Sequence, residues 1–482
     1  MIQARLCLLV TLLTACFGAA FGQNPGVKSS LEGIWEGPLK VGPVELFLVF
    51  HFSKDKDGAW KATMDSIDQG AFGMPCDGVK VEGTKVAIDL KKLKASFSGI
   101  SSANNTVLKG TFEQRGLKFP LSLNRVEKVS TRKRPQTPKT PYPYLAEEVV
   151  FENPKAGIKL TGTLTLPKEV GPFPAVVLVT GSGPQDRDET LLGHKPFLVL
   201  ADHLTRKGIA VLRFDDRGVG KSKGDFAKAT SADFATDAFA AIRFLLTRKE
   251  IDPKRIGVAG HSEGGMIAPM VAAEHPDNVA FIVMLAGPGA RGDAIIERQT
   301  QAIGKAAGAS TDQLAVSARL QKILMDTARS QPDELAAKKA LVGVAVTFAK
   351  NLTDAERKAL ELDGESEESL KAAEDAAATF ASPWMRFFLN YDPFPVLARV
   401  KCPVLAINGA RDLQVLPDQN LPLIEKALRE GGNTRFETKV FPDLNHLFQH
   451  AKTGQVGEYS QIEETIAPEV LECVAGWVAN LK

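Results

Sequence analysis

Ile256-Gly257-Val258-Ala259-Gly260-His261-Ser262-Glu263-Gly264-Gly265-Met266-Ile267-Ala268 is the stretch on which the reading of this chain turns. Its first four residues read as a buried strand and its last five as the opening of an apolar helix. Between them stands the pattern Gly-x-Ser-x-Gly. A serine in such a strand-to-helix turn is held out on a sharp bend, and the flanking glycines let strand and helix approach without a Cβ clash. The helix N-terminus points its positive end at Ser262, which favours negative charge developing there. A serine in an ordinary surface turn would lack the apolar run before it and the helix after it.

Outward from this turn, apolar runs alternate with amphipathic stretches. Residues 175–180, 209–214, 256–259, 281–285, 404–407 and 436–441 read as strands, and 197–206 and 232–247 as helices. Continuous apolar strands separated by helices predict an α/β architecture, a mainly parallel sheet with helices on both faces. From about Arg291 to Asn390 the alternation stops, and Ala, Leu, Lys, Glu and Gln dominate. That stretch predicts several helices inserted between two strands. Ligands of open α/β sheets bind at the carboxyl edge of the strands, so the insertion is expected to cap a substrate site.

A serine hydroxyl needs a base. Three histidines follow Ser262. His275 lies along the helix that leaves the turn, roughly 20 Å away at 1.5 Å per residue. His446 follows the run ending at Phe441, in a loop expected at the same sheet edge as Ser262, and is the preferred base; His450 is the alternative. The base needs a carboxylate to fix its tautomer. Asp412, in the turn leaving the strand at 404–407, gives the chain order Ser, Asp, His. Asp418 and Asp392 are alternatives, and Asp443 shares the His446 loop. Oxyanion donors are expected from the backbone N–H of Glu263 and that of Ser182, with Gly183 as the alternative to Ser182. The loop continues into Gln185-Asp186-Arg187-Asp188-Glu189, whose charges would either recognise a polar substrate group or hold the loop by ion pairs.

Asp215-Asp216-Arg217-Gly218-Val219-Gly220-Lys221-Ser222 superficially suggests a phosphate loop, but Asp215 stands where that motif requires glycine. With Lys+Arg 59 and Asp+Glu 57, the net charge of +2 gives no electrostatic footprint for nucleic acid. The hydrolytic chemistry read here calls for no metal and no organic cofactor.

Residues 1–22 carry Arg5 as their only charge, a short apolar run at 6–13 and then small residues. This is expected to be an export signal, because the run is too short to cross a bilayer. Cleavage after Ala20-Phe21-Gly22 is preferred; the rival is lipidation at Cys16 in Leu13-Thr14-Ala15-Cys16, which would leave an anchored lipoprotein. A periplasmic or secreted location follows. No later run has the length of a membrane span. Cys7 and Cys16 lie in the signal. Cys76, Cys402 and Cys473 are too few and too scattered for a disulfide framework or a cysteine zinc site; three buried thiols are preferred over a Cys402–Cys473 bridge.

Residues 23–128 are expected to form a small all-β barrel or sandwich, from runs at 44–52, 60–65, 79–90 and 117–123 punctuated by Gly, Asp and Asn. His51 there reads as packing. Residues 129–147, with Pro135, Pro138, Pro141 and Pro143, read as a linker. Residues 148–482 are the catalytic domain, with the cap at about 291–390.

The segments 180–188, 215–222, 260–265 and 445–449 resemble those of bacterial exported α/β-hydrolases of the serine aminopeptidase S33 type, including EstD-type esterases. The resemblance implies the α/β-hydrolase fold and hydrolysis of a small-molecule carboxylic ester through an acyl-enzyme, with Ser262, Asp412 and His446 as triad. The rival expectations are an aminopeptidase or amidase using the same triad, and a ligand-binding protein without catalysis.

Overall fold

The computed structural model describes residues 30–41, 44–67, 71–114, 117–130, 133–359 and 377–481. The expected export signal, with Cys7 and Cys16, lies outside the described residues.

The N-terminal part is a single nine-stranded antiparallel sheet in the order β4-β3-β2-β1-β9-β8-β7-β6-β5. Its strands are β1 Gly33–Val41, β2 Val44–Lys54, β3 Trp60–Ser66, β4 Ala71–Pro75, β5 Gly78–Glu82, β6 Lys85–Leu90, β7 Ala95–Ser101, β8 Val107–Gln114 and β9 Leu117–Val126. The alternation of β6, with Val86, Ile88 and Leu90 buried and their neighbours exposed, puts one face inward. That face curls around Trp35, Phe50, Phe97, Leu108 and Leu123, so the sheet encloses its own core as a half-barrel, not as two stacked sheets. The run expected at 79–90 is two strands, because Gly83 takes φ +61 and turns the chain back. His51 bonds Asp65 across the β2–β3 pair at 2.7 Å.

The segment after it is less free than its proline content implies. Arg134 donates to the carbonyls of Leu192, Ser460 and Ile462 at 2.8–3.0 Å, and Gln136 donates to that of Ile466 at 2.7 Å. These bonds fasten the proline-rich segment to the C-terminal part.

The C-terminal part is built on an eight-stranded sheet in the order β10-β11-β13-β12-β14-β15-β16-β17. The strands are β10 Leu145–Asn153, β11 Ile158–Leu166, β12 Phe173–Val179, β13 Ala210–Phe214, β14 Ile251–His261, β15 Phe281–Leu285, β16 Val404–Gly409 and β17 Phe436–Phe441. Those from β12 onward are parallel, while β10 and β11 pair antiparallel and β11 joins β13 antiparallel, so the sheet is mixed. The reason is local: β10 and β11 are joined by a tight turn, with no room for the crossover that parallel strands need. Helices α1 Pro196–Arg206, α2 Ser231–Leu245 and α3 Glu263–Glu274 alternate with the central strands. Two apolar clusters cover the two faces; Cys402 packs on one and Cys473 on the other, both as free thiols, which rules out a bridge between them.

Between β15 and β16 the chain makes α4 Gly292–Ala306, α5 Thr311–Ser330, α6 Glu334–Lys350, α7 Asp354–Ala359 and α8 Pro383–Asn390. These helices lie between two neighbouring strands of the sheet, and residues 360–376 of the stretch fall outside the described residues. Their apolar side, including Ile295, Leu324, Leu341 and Phe388, packs with Met266 of α3, so the insertion sits over the turn that carries Ser262. Two more helices, α9 Phe394–Leu397 and α10 Pro417–Glu430, flank β16, and α11 Pro468–Asn480 ends the described fold.

Candidate active site

β14 ends at His261 and α3 begins at Glu263, leaving Ser262 alone in the bend at φ +52, ψ −115. A non-glycine residue in that region is strained, and the surroundings hold it there. Ser262 N–H donates to Leu285 O at 2.8 Å, and Gly265 N–H donates to Ser262 O at 2.9 Å. A Cβ on Gly260 would lie 2.0 Å from the Gly264 backbone, and one on Gly264 would lie 2.1 Å from Val179 O. The glycines of the motif are therefore required by the closeness of strand and helix. His261 and Glu263 are buried, and Ser262 between them is partly accessible.

β16 leads into the turn holding Asp412, and β17 leads into the loop holding His446. Nδ1 of His446 meets Oδ2 of Asp412 at 2.8 Å, and both side chains are buried. The other Asp412 oxygen accepts the backbone N–H groups of Gln414 and Val415 at 2.8 and 2.9 Å. The carboxylate is thus fixed by its own turn and can only present its second oxygen to the imidazole. This places the His446 proton on Nδ1 and leaves Nε2 free to take one. The His446 loop is braced by Asn445, whose side-chain oxygen accepts from the N–H of Leu447 and of Gln449, each at 3.0 Å.

The alternatives are occupied elsewhere. His450 pairs with Glu464 at 2.9 Å and Glu469 at 3.1 Å on the surface. His275 closes α3 and stacks on Phe239. Asp418 pairs with Arg298, Asp392 accepts from Phe394 N–H, and Asp443 pairs with Arg411.

The loop after β12 lies against the bend: a Cβ on Gly181 would come 3.4 Å from that of Ser262. Glu263 is the first residue of α3, so its N–H has no acceptor within the helix. Ser182 follows Gly181 in this loop, close to the buried Glu263 carboxyl. The charges that follow hold this loop. Asp188 pairs with Lys195 at 2.9 Å and with Arg213, and Arg187 pairs with Asp215 at 2.7 Å. Asp186 closes its own turn onto Thr190. In the segment 215–222, Asp216 accepts from Thr180 Oγ1 and Gln185 N–H, both at 2.9 Å, and Arg217 pairs with buried Asp237. That segment is a structural clip under the same loop.

Sequence reasoning did not anticipate two buried partners. Glu263 accepts from Ser231 Oγ at 2.6 Å and from the indole N–H of Trp384, on cap helix α8, at 2.7 Å. Burial raises its carboxyl above the ordinary value, opposed by these bonds. His261 bridges Glu189 and the carbonyl of His446. Neither contact leaves a local signal, since each joins residues far apart in the chain.

The chain matches the family model of X-Pro dipeptidyl-peptidases (S15 family) over residues 156–447 of 482, more than half its length; the motifs had pointed to the S33 type. Esterase EstD of Thermotoga maritima is 28% identical over 373 residues, 77% of this chain and 78% of the relative. A thiohydrolase of Arthrinium phaeospermum is 32% identical over 33% of this chain and 53% of its own. Among solved structures, a Pyrococcus furiosus esterase matches at 15% identity and a TM-score of 0.43, over 73% of this chain and 99% of its own. With its serine at a strained strand-to-helix bend and its model match spanning both that bend and His446, the chain belongs to the X-Pro dipeptidyl-peptidase family, S15, and is a serine hydrolase.

Proposed function

We propose that the chain hydrolyses carboxylic esters through an acyl-enzyme formed on Ser262. The buried 2.8 Å pair of Asp412 and His446 carries this reading, because it orients the imidazole in the loop after β17, on the sheet whose strand β14 ends at the strained serine. Ser262 Oγ attacks the acyl carbon as His446 Nε2 takes its proton; the proton then passes to the leaving alcohol. Water repeats the sequence on the acyl-enzyme, and Asp412 stabilises the imidazolium in both halves. The N–H groups of Glu263 and Ser182, with Gly183 as the alternative, receive the oxyanion.

The esterase name of the Thermotoga relative supports ester over peptide bonds. So does the fate of the acidic residues that would meet a peptide amine. Asp186, Asp188, Glu189 and Glu263 all hold protein partners. The family's dipeptidyl-peptidase description keeps amide hydrolysis as the second reading. Export through the N-terminal segment belongs to the proposal, supported by its composition alone. No helix among the described residues is long and apolar enough to cross a membrane.

Hydrolysis of p-nitrophenyl esters from acetate to long acyl chains, by wild type and Ser262→Ala side by side, tests the reading. Serine-dependent turnover supports it. Turnover that survives Ser262→Ala removes Ser262 from the chemistry, and turnover of aminoacyl amides alone favours the peptidase reading.

A further inference from the structure

His261 precedes the nucleophile, is buried, and has no part in the proton transfers above. Its two ring nitrogens have fixed partners. Nδ1 lies 2.9 Å from Glu189 Oε1, and Nε2 lies 3.0 Å from the main-chain oxygen of His446. A carbonyl oxygen can only accept. Glu189 Oε1 also accepts the Gly181 N–H at 2.7 Å, so it too faces the ring as an acceptor. Two acceptors require two N–H donors, and an imidazole has two only when it is charged.

We propose that His261 is an imidazolium clamp, a positioning residue whose two N–H groups hold the base loop and the Glu189–Gly181 loop against the nucleophile bend. The inference rests on the Ser262–His446 reading. Three segments meet at this ring. β14 carries it directly beside Ser262. Glu189, on the loop after β12, anchors it and also holds Gly181, next to the oxyanion segment. The His446 carbonyl fixes the backbone of the base itself, whose ring lies 4.8 Å away. The charged groups around His261 are Glu189 and, farther off, Asp412; Phe448 closes an apolar side. Glu189 is itself kept at φ +53, a conformation that the buried pair holds in place.

Burial opposes the charge, but the Glu189 carboxylate and the His446 carbonyl outweigh it, and the net direction is up from the ordinary histidine value. The charged form is therefore complete at low pH and is lost as pH rises through the raised value. Loss of that proton removes one of the two bonds. The His446 loop is then free to drift, and misplacement on the scale of 1 Å costs about 100-fold in rate.

The test has two independent readouts. In histidine-labelled wild type at neutral pH, ¹⁵N NMR should show both ring nitrogens of His261 protonated, with the signals assigned by their loss in His261→Gln. One unprotonated ring nitrogen overturns the proposal, whether or not esters are substrates. On p-nitrophenyl acetate, folded His261→Gln should lose about 10- to 100-fold in kcat with KM nearly unchanged. The wild-type decline in kcat at alkaline pH should vanish in this variant and move to lower pH in Glu189→Gln, whose neutral amide no longer holds the proton. Wild-type kcat and an unchanged alkaline decline in folded His261→Gln would overturn it. Absence of serine-dependent turnover in the wild type would sink the ester reading and leave the NMR result to decide on the clamp.

Discussion

Trp384, on insertion helix α8, donates its indole N–H at 2.7 Å to the carboxyl of Glu263, the residue that follows Ser262. The insertion is thereby bonded to the Ser262 bend itself and not only laid over it. Ser231 donates to the same carboxyl, so one buried side chain joins the helical insertion and α2.

Removing that donor should loosen the cap without touching the reacting groups. Trp384→Phe keeps the stacking on Phe388 but leaves the buried Glu263 oxygen one partner short. The expected cost is about 1–3 kcal/mol in stability. KM for longer acyl chains should rise more than kcat falls. Urea unfolding and an ester chain-length series would check both.

The Glu263 carboxyl also gives stability a pH dependence. Burial raises its ionisation above 4.5, so the folded state holds this proton more tightly than the unfolded chain does. Its contribution is full below about 4.5 and is lost as pH rises through the raised folded value. Glu263→Gln should therefore show less decline of the thermal midpoint from acid towards neutral pH than wild type. Scanning calorimetry across that range is the measurement, and parallel curves would refute the assignment.

Asp412→Asn should leave the fold intact and nearly abolish turnover. The amide still offers an oxygen to the Gln414 and Val415 N–H groups, but its NH₂ would face His446 Nδ1 and impose the wrong tautomer. A fall in kcat of about 10⁴-fold is expected, with an unchanged near-UV spectrum. A small loss would mean that Asp412 does not orient the base.

Arg134→Ala should free the linker. The three carbonyls it serves, Leu192, Ser460 and Ile462, lose their donor together. Faster proteolysis near residues 133–144 is expected, with serine-dependent activity largely kept. Unaltered cleavage would show that Gln136 and the Tyr142–Tyr144 stack suffice.

The bend was legible because its requirements are local. A strand, a bend too tight for Cβ atoms and a helix are written in thirteen consecutive residues, and the glycines at 260 and 264 have no other role that fits. The central parallel strands were legible for a related reason, since β12, β15 and the second half of β14 are continuous apolar runs. The antiparallel start of the sheet was not: β10 carries Glu147, Glu148 and Glu152 on an edge, so its alternation lacks the apolar signature of a core strand.

Sequence by itself determined the strand-bend-helix at Ser262, the α/β rhythm and the helix-rich stretch between two strands. Tertiary structure showed that Asp412 meets His446 while Asp418 and Asp392 have other partners, and set the loop charges to ion pairing with their own scaffold. It also made partners of Glu263 with Trp384 and of Glu189 with His261. The physical reason is range. Chain conformation follows from neighbouring residues, whereas a hydrogen bond between positions 121 residues apart, as for Glu263 and Trp384, exists only once packing has brought both groups out of water.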